Sequence, residues 1–379
     1  MQCAYFVKDS CRSCRLLATP YAVQLQQKQQ QLAKVLAPLL PFELLSPVSG
    51  PTEQFRNKAK MVVLGTSEAP VLGILNHQGQ VVDLTDCPLY PTEFVQAFAK
   101  IKDFIQLARL QPYDIQTKKG ELKFILLSQS FTSGHWLLRF VMRSQNHVAA
   151  IRKHLPALLA AWTELKVCSV NLQPEHKAVL EGAEEIVLTP QTMLPLLLND
   201  VPLYLQAQSF FQTNPQLAAK LYQTARDWTS SLAVTRVWDL FCGVGGFALH
   251  LATPHRQVTG IEISAAAIEC ASRSASEMGL QNLTFQALDA AMFAASQQAS
   301  PELLVVNPPR RGLGAALCQT IMQLQPQWLL YSSCNPQSLA ADIMLLKGYQ
   351  LQRAQLFDFF PHTSHAEVLC LLQRIQSSR

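Results

Sequence analysis

The chain has no run of eighteen uncharged apolar residues, and its opening, "MQCAYFVKDSCRSC", lacks the basic-then-apolar order of a signal peptide. The first absence excludes a helical membrane span and the second leaves secretion unsupported, so a cytoplasmic protein is expected. Nothing repeats at a solenoid period. The one biased segment, "QLQQKQQQLAKVLAPLL", reads as a plain surface helix with a glutamine-rich solvent face. Excess charge is small: 31 Lys and Arg against 26 Asp and Glu give +5 over 379 residues, which permits a polyanionic partner without demanding one. A reducing compartment keeps thiols free, so the 10 cysteines are left to metal ligation, catalysis and burial.

A length of 379 residues, 49% of them apolar, suffices for two or three domains with a large core. From Val48 to about Leu205, β-rich pieces ("KAKMVVLG", "ELKFILLS", "HWLLRFVMRS", "VCSVNLQ") alternate with helical ones, predicting an α+β block. From Val237 the rhythm changes to short buried runs separated by helix-length segments: "VWDLF", "VTGIEI", "LTFQAL", "ELLVV", "WLLYSS", "LQRAQLFDFF", "AEVLCLLQRI". Such alternation predicts a parallel, doubly wound sheet. The last two runs are joined only by "PHTSH", too short for a helical crossover, so they form an antiparallel hairpin at the sheet's edge. Six parallel strands and one reversed edge strand is the seven-stranded, Rossmann-like pattern of class I S-adenosylmethionine-dependent methyltransferases. The division expected is residues 206–379 for this domain, with 1–90 a cysteine-bearing region inside an α+β block reaching to about 205.

"DLFCGVGGFAL" opens the domain with a strand, then Gly243, Gly245 and Gly246, then a helix whose free amides face a ligand. Gly243, Gly245 and Ala248 also satisfy the dinucleotide pattern, so this motif alone leaves NAD in play. Glu262 ends "VTGIE" about 20 residues past the first glycine, where a carboxylate accepts from two ribose hydroxyls or merely caps the next helix. Asp289 ends the third strand, where an adenine amino group lies, and is equally suited to be a cap. Asn307-Pro308-Pro309 at the end of the fourth strand decides against NAD, because methyltransferases acting on nitrogen or carbon of nucleobases carry an (N/D)PP signature there. The two prolines fix the backbone so that a side-chain amide and a free carbonyl face the crevice.

Cys334, in "YSSCNP", ends the fifth strand and so borders the same crevice. For methyl transfer to C5 of a uracil, a thiolate adding to C6 makes C5 an enolate carbon able to attack the methyl group. A base must then remove the C5 proton, and Glu367, at the start of the return strand in "PHTSHAEVLCLL", supplies a carboxylate. His362 and His365 precede it without the further ligands a metal site needs.

"FFQTNP", "DLFCGVGGF", "GIE", "NPPRRG", "YSSCNP" and "FPHTSHAE" together resemble the RNA (uracil-5-)-methyltransferase family, over the whole C-terminal domain. The resemblance implies that Cys334 is the nucleophile and Glu367 the base. It also implies that Gln212, Phe241, Glu262 and Asn307 line the S-adenosylmethionine site, with Gly243, Gly245 and Asp289 beside them. Many relatives carry aspartate at the position of Asn307, so a proton-handling role there is in doubt while hydrogen bonding remains. The members it is nearest to act on uracil 747 of 23S ribosomal RNA; the same chemistry on another rRNA uracil or on tRNA is the alternative, and a non-catalytic rRNA-binding assembly factor is the rival from another class. A monomer without a stable protein partner is expected.

Cys3, Cys11 and Cys14, with Cys87 as a distant fourth, match the family's cluster pattern. Four thiolates suit zinc or iron–sulfur equally by spacing, and the resemblance implies a [4Fe-4S] cluster. Their spacing is not CxxxCxxC, which argues against radical generation. Some relatives carry an oligonucleotide-binding barrel ahead of the cysteines; with Cys3 so early none is expected, and RNA falls to the middle block. There Arg56, Lys58 and Lys60 share a strand face, as do Arg139 and Arg143, suiting phosphate contact.

Overall fold

A computed structural model describes residues 1–176, 180–297 and 299–375. In chain order the first strands are β1 (Glu43–Leu44), β2 (Lys58–Gly65), β3 (Pro70–Leu75), β4 (Val81–Asp83), β5 (Leu122–Gln129), β6 (Trp136–Met142), β7 (Leu165–Leu172) and β8 (Glu184–Val187). A hairpin of β9 (Leu194–Leu198) and β10 (Val201–Leu205) follows, then β11 (Arg236–Leu240), β12 (Gln257–Glu262), β13 (Leu283–Ala287), β14 (Leu303–Val306), β15 (Trp328–Ser333), β16 (Tyr349–Phe357) and β17 (Glu367–Arg374). Among the described residues no helix is long and apolar enough to cross a membrane.

Two compact units result, one of Met1–Ser13 with Pro51–Leu196, the other of Cys14–Gly50 with Leu197 onward. The first is the α+β block. Its sheet runs β4-β3-β2-β5-β6-β7-β8, antiparallel except where β6 meets β7. That parallel step needs a crossover, which the helix Val148–Ala161 provides. Alternation puts Ala59, Met61, Ile125, Leu127, Leu138 and Phe140 on one face, against Phe94, Phe98 and Ile101 of the helix Glu93–Leu107. Burial of each of these Met, Ile, Leu and Phe side chains stabilises by roughly 1.5–3 kcal/mol.

Lys58 and Lys60 lie on the opposite face of β2 from Ala59 and Met61, as periodicity requires. The expectation for the other basic pair is corrected. Arg139 is completely buried, gripped by Glu185 at 2.5 Å and Glu181 at 3.1 Å, and Arg143 pairs with Glu121 at 2.9 Å. A buried guanidinium must be neutralised from within. Its carboxylates arrive from distant segments that strand periodicity does not reveal.

The second unit holds the doubly wound sheet, in the order β1-β16-β17-β15-β14-β11-β12-β13. All pairs are parallel except those made by β17. Three expectations are corrected here. The sheet has eight strands, because β1 adds beside β16. The reversed strand is not at the edge: β17 is inserted between β15 and β16. The domain boundary also shifts, since Cys14–Gly50 belongs to this unit and the later boundary falls at Leu197 instead of 206. Leu32 and Leu36 of the helix Tyr21–Leu36 sit in one core with Leu304, Leu329, Leu339 and Leu351, which binds that segment to this sheet.

Candidate active site

The strand order reverses at β11, between β14 and β12, and the crevice at the carboxyl ends of those strands is where such sheets bind ligands. A cavity of about 660 Å³ occupies it. After β11 the chain turns through Phe241 at φ 64°, Gly243 at 54° and Gly245 at 85°. Phe241, left-handed without being glycine, is the strained position, and it lines the cavity. Glu262 ends β12 facing this turn; its carboxylate accepts from the Gly243 amide at 3.2 Å and the Ser264 amide at 3.0 Å, keeping further lone pairs for a ligand. Behind the turn, Asp239 is wholly buried, accepts from the Ala248 amide at 2.9 Å and leaves its other oxygen unpartnered. Burial raises its pKa to about 8.

Gln212, Gly243, Asp289 and Asn307 also line the cavity, whereas Gly245 stands just behind it as the residue preceding the helix Gly246–Leu251. Asp289 does both things the sequence allows. It caps the helix Ala290–Ser296 through the Ala291 and Met292 amides, at 3.0 and 2.9 Å, and it faces the cavity. Gln212 precedes Asn214, whose side-chain oxygen caps the helix Pro215–Ser230 at the Leu217 amide.

Cys334 and Glu367 line the same cavity. In the antiparallel pairing of β15 with β17, Ser332 faces Leu369 and Ser333 faces Val368. Cys334 follows Ser333 directly after β15 and Glu367 precedes Val368 at the start of β17, so both lie at the same end of this strand pair, near enough for the Glu367 charge to act on the thiol. Ser332, two residues before Cys334 and so on the same face, donates its hydroxyl proton to Glu367 Oε1 at 2.5 Å. Glu367 is 3% exposed, and burial lifts its pKa to about 7 against the lowering effect of that hydrogen bond. The Cys334 thiol is likewise pushed up, by burial first and then by the Glu367 charge; the Arg310 guanidinium opposes the rise.

Arg310 is held in place by its backbone. Its carbonyl accepts from Asn335 Nδ2 at 2.9 Å and from Ser338 Oγ at 3.1 Å, which ties the Asn307–Arg310 turn to the loop carrying Cys334. Of these residues Ser332 was within reach of sequence reasoning, since period two puts it on the cysteine's face. Tyr222, buried against the cavity with its pKa raised by burial and by the charges of Asp239 and Glu367, had no local signal.

Cys242, Cys168, Cys270, Cys318 and Cys370 are buried, and none except Cys242 lines the cavity. Cys3, Cys11 and Cys87 lie in the first unit, and Cys14 opens the second. Burial raises the Cys87 thiol, and Cys3 and Cys11 are near enough to add to the rise while Arg56 opposes it. Among the described residues no three His, Cys, Asp or Glu side chains form a group ready to hold a metal ion.

Residues 191–375 match the tRNA (Uracil-5-)-methyltransferase family. The chain is 53% identical over 372 residues, 98% of its length and 99% of the other, to the Yersinia enterocolitica protein named 23S rRNA (uracil(747)-C(5))-methyltransferase RlmC. An Escherichia coli O157:H7 protein of the same name is 53% identical over 375 residues, 99% of this chain and 100% of that one. In structure it is similar to Pyrococcus abyssi tRNA (uracil-54, C5)-methyltransferase in complex with S-adenosyl-L-homocysteine. The TM-score is 0.78, the identity 24%, and the match covers 95% of this chain and 85% of that one. At that identity the likeness speaks for the fold, that of class I S-adenosylmethionine-dependent methyltransferases.

Proposed function

The chain belongs to the RNA (uracil-5-)-methyltransferase family, and we propose that it methylates C5 of a uracil in 23S ribosomal RNA, uracil 747, using S-adenosylmethionine. The observation that carries the residue-level reading is the β15–β17 pairing, at one end of which a thiol and a buried carboxylate both line the cavity. The cavity fits the methyl donor: its volume and apolar lining suit a nucleoside, and Glu262 keeps acceptor capacity for ribose hydroxyls. When bound there, S-adenosylmethionine supplies an electrophilic methyl group.

In the proposed reaction the Cys334 thiol gives its proton to water, the Arg310 guanidinium favouring the thiolate against the effect of burial, and the thiolate adds to C6 of the uracil as the C5–C6 π electrons move into an enolate over C5, C4 and O4. C5 takes the methyl group and the sulfonium leaves as neutral S-adenosylhomocysteine. Glu367 then removes the C5 proton; the freed electron pair rebuilds the C5–C6 double bond and expels the thiolate. Glu367 suits this role, because a carboxylate with a pKa of about 7 is partly ionised near neutral pH and is a stronger base than an ordinary carboxylate. Asn307 has no acidic proton to exchange, and its amide is left to hydrogen bonding at the mouth of β14.

The test is direct. With methyl-labelled S-adenosylmethionine and unmodified 23S rRNA, label is expected in 5-methyluridine at position 747. Label at another uracil would overturn the site assignment, and none in any RNA would overturn the activity.

The same reading gives Cys3, Cys11, Cys14 and Cys87 a [4Fe-4S] cluster. Its support is the donor set, four thiols with no nitrogen or carboxylate among them, of which Cys3 and Cys11 lie near enough to Cys87 to raise its thiol. Bound there, such a cluster would cross-link the N-terminal segment and needs no part in methyl transfer. Protein purified without oxygen is expected to carry about four iron and four sulfide per chain. Stoichiometric zinc without iron would refute it. Of Arg56, Lys58 and Lys60, Lys60 is the one exposed on β2 and remains as a phosphate contact for the RNA, whereas burial lowers the Lys58 pKa to about 8.

A further inference from the structure

The helix Tyr21–Leu36 has buried residues at 24, 28, 32 and 36, a single stripe at four-residue spacing. The lower two are leucines in the core. The upper two, Gln24 and Lys28, are polar and equally hidden, at 1% and 7% exposure. Both meet the loop between β16 and β17, which carries Phe360 into the cavity and delivers Glu367.

Lys28 spends all three ammonium protons on that loop. It donates to Asp358 Oδ1 at 2.6 Å, to the Phe360 carbonyl at 3.1 Å and to the His365 carbonyl at 3.0 Å, so one side chain holds both ends. Tyr21 donates to the other Asp358 oxygen at 2.8 Å. Gln24 Oε1 accepts from the His362 amide at 2.9 Å, while its Nε2 donates to the carbonyls of Leu16 and Thr19 at 2.9 and 2.8 Å. The Leu16 amide in turn donates to the His362 carbonyl at 2.9 Å.

Stability alone does not call for a buried ammonium, since apolar side chains of like volume hold a helix to a sheet as well or better. A fully satisfied polar network adds a unique geometry. We propose that Lys28, together with Tyr21, Gln24 and Asp358, is a positioning device for the general base, holding the 358–366 loop so that Glu367 meets the C5 proton. This rests on the methyltransferase reading above. Cys334 hangs from β15 and is anchored separately, through Asn335 and Arg310. The device therefore acts on the second half of the reaction, proton removal, and leaves thiolate addition and methyl transfer to proceed.

The two halves can be read apart, because failure of proton removal strands the RNA on the protein. With ordinary 23S rRNA and S-adenosylmethionine, Lys28→Met and Gln24→Met are each expected to accumulate a denaturation-resistant protein–RNA complex, with kcat down by about 10- to 100-fold and KM for RNA nearly unchanged. Glu367→Gln is the reference. If it gives no such complex, the base assignment fails and the methyltransferase reading of this site with it. If it does, and both helix variants bind S-adenosylmethionine with the complex at the wild-type level, the positioning role is overturned. Loss of S-adenosylmethionine binding in both would assign the helix to folding alone and overturn it equally.

Discussion

Cys334→Ser is expected to abolish methylation, with turnover down on the order of 10⁴-fold or more, and to form no covalent complex with rRNA containing 5-fluorouracil. Fluorine at C5 cannot leave as a proton does, so the wild-type protein should stay bound to such RNA through Cys334. A serine hydroxyl at the same place is far less acidic than a thiol and cannot add to C6 at neutral pH. S-adenosylmethionine binding should survive, because Glu262, Phe241 and Gln212 reach the cavity from other elements. A serine variant that methylates at the wild-type rate, or that still forms the fluorouracil complex, would remove Cys334 from the mechanism.

Glu367→Gln has the second largest expected effect, a fall in turnover of about 10²- to 10⁴-fold with the methylated RNA held on Cys334. The wild-type pH profile follows from the same burial. Proton removal requires the carboxylate, so its rate should rise through a pKa of about 7 and be lost as pH falls below it. The stability effect has the opposite sign. A carboxyl whose pKa is raised from about 4.3 in the unfolded chain favours the fold when protonated, and that contribution, on the order of 3 kcal/mol, is lost as pH rises through 7. Glu367→Gln should therefore melt at a higher temperature than wild type at pH 8 and show little difference at pH 5. Equal melting temperatures at pH 8, with turnover intact, would show Glu367 to be neither buried as a strained acid nor the base.

Much of this was legible without coordinates because it depends on neighbours in sequence. Short apolar runs separated by helix-length segments can pack only as a parallel sheet with helices on its faces, and all seven runs from "VWDLF" to "AEVLCLLQRI" became strands. The turn at Phe241 to Gly245, Glu262 at the end of β12 and Asn307 at the end of β14 follow from the rule that strand ends border the crevice. What failed to show was long-range. Arg139 looked like an exposed cation because Glu181 and Glu185 lie more than forty positions away in the chain. The glutamine-rich helix looked like a solvated surface because its partner, Asp358, is 330 residues distant.

The short apolar run in "AEVLCLLQRI" by itself determined that a buried strand would form and that Glu367 would stand at its start. It could not determine which strand would lie beside it, since backbone ladders are chemically uniform and a hairpin partner is only one of two neighbours. Tertiary structure decided that β17 lies between β16 and β15, with Ser333 opposite Val368. As the reversed edge strand that local sequence suggests, β17 would have left Glu367 one strand removed from β15; inserted, it starts Glu367 beside the end of the strand that leads into Cys334.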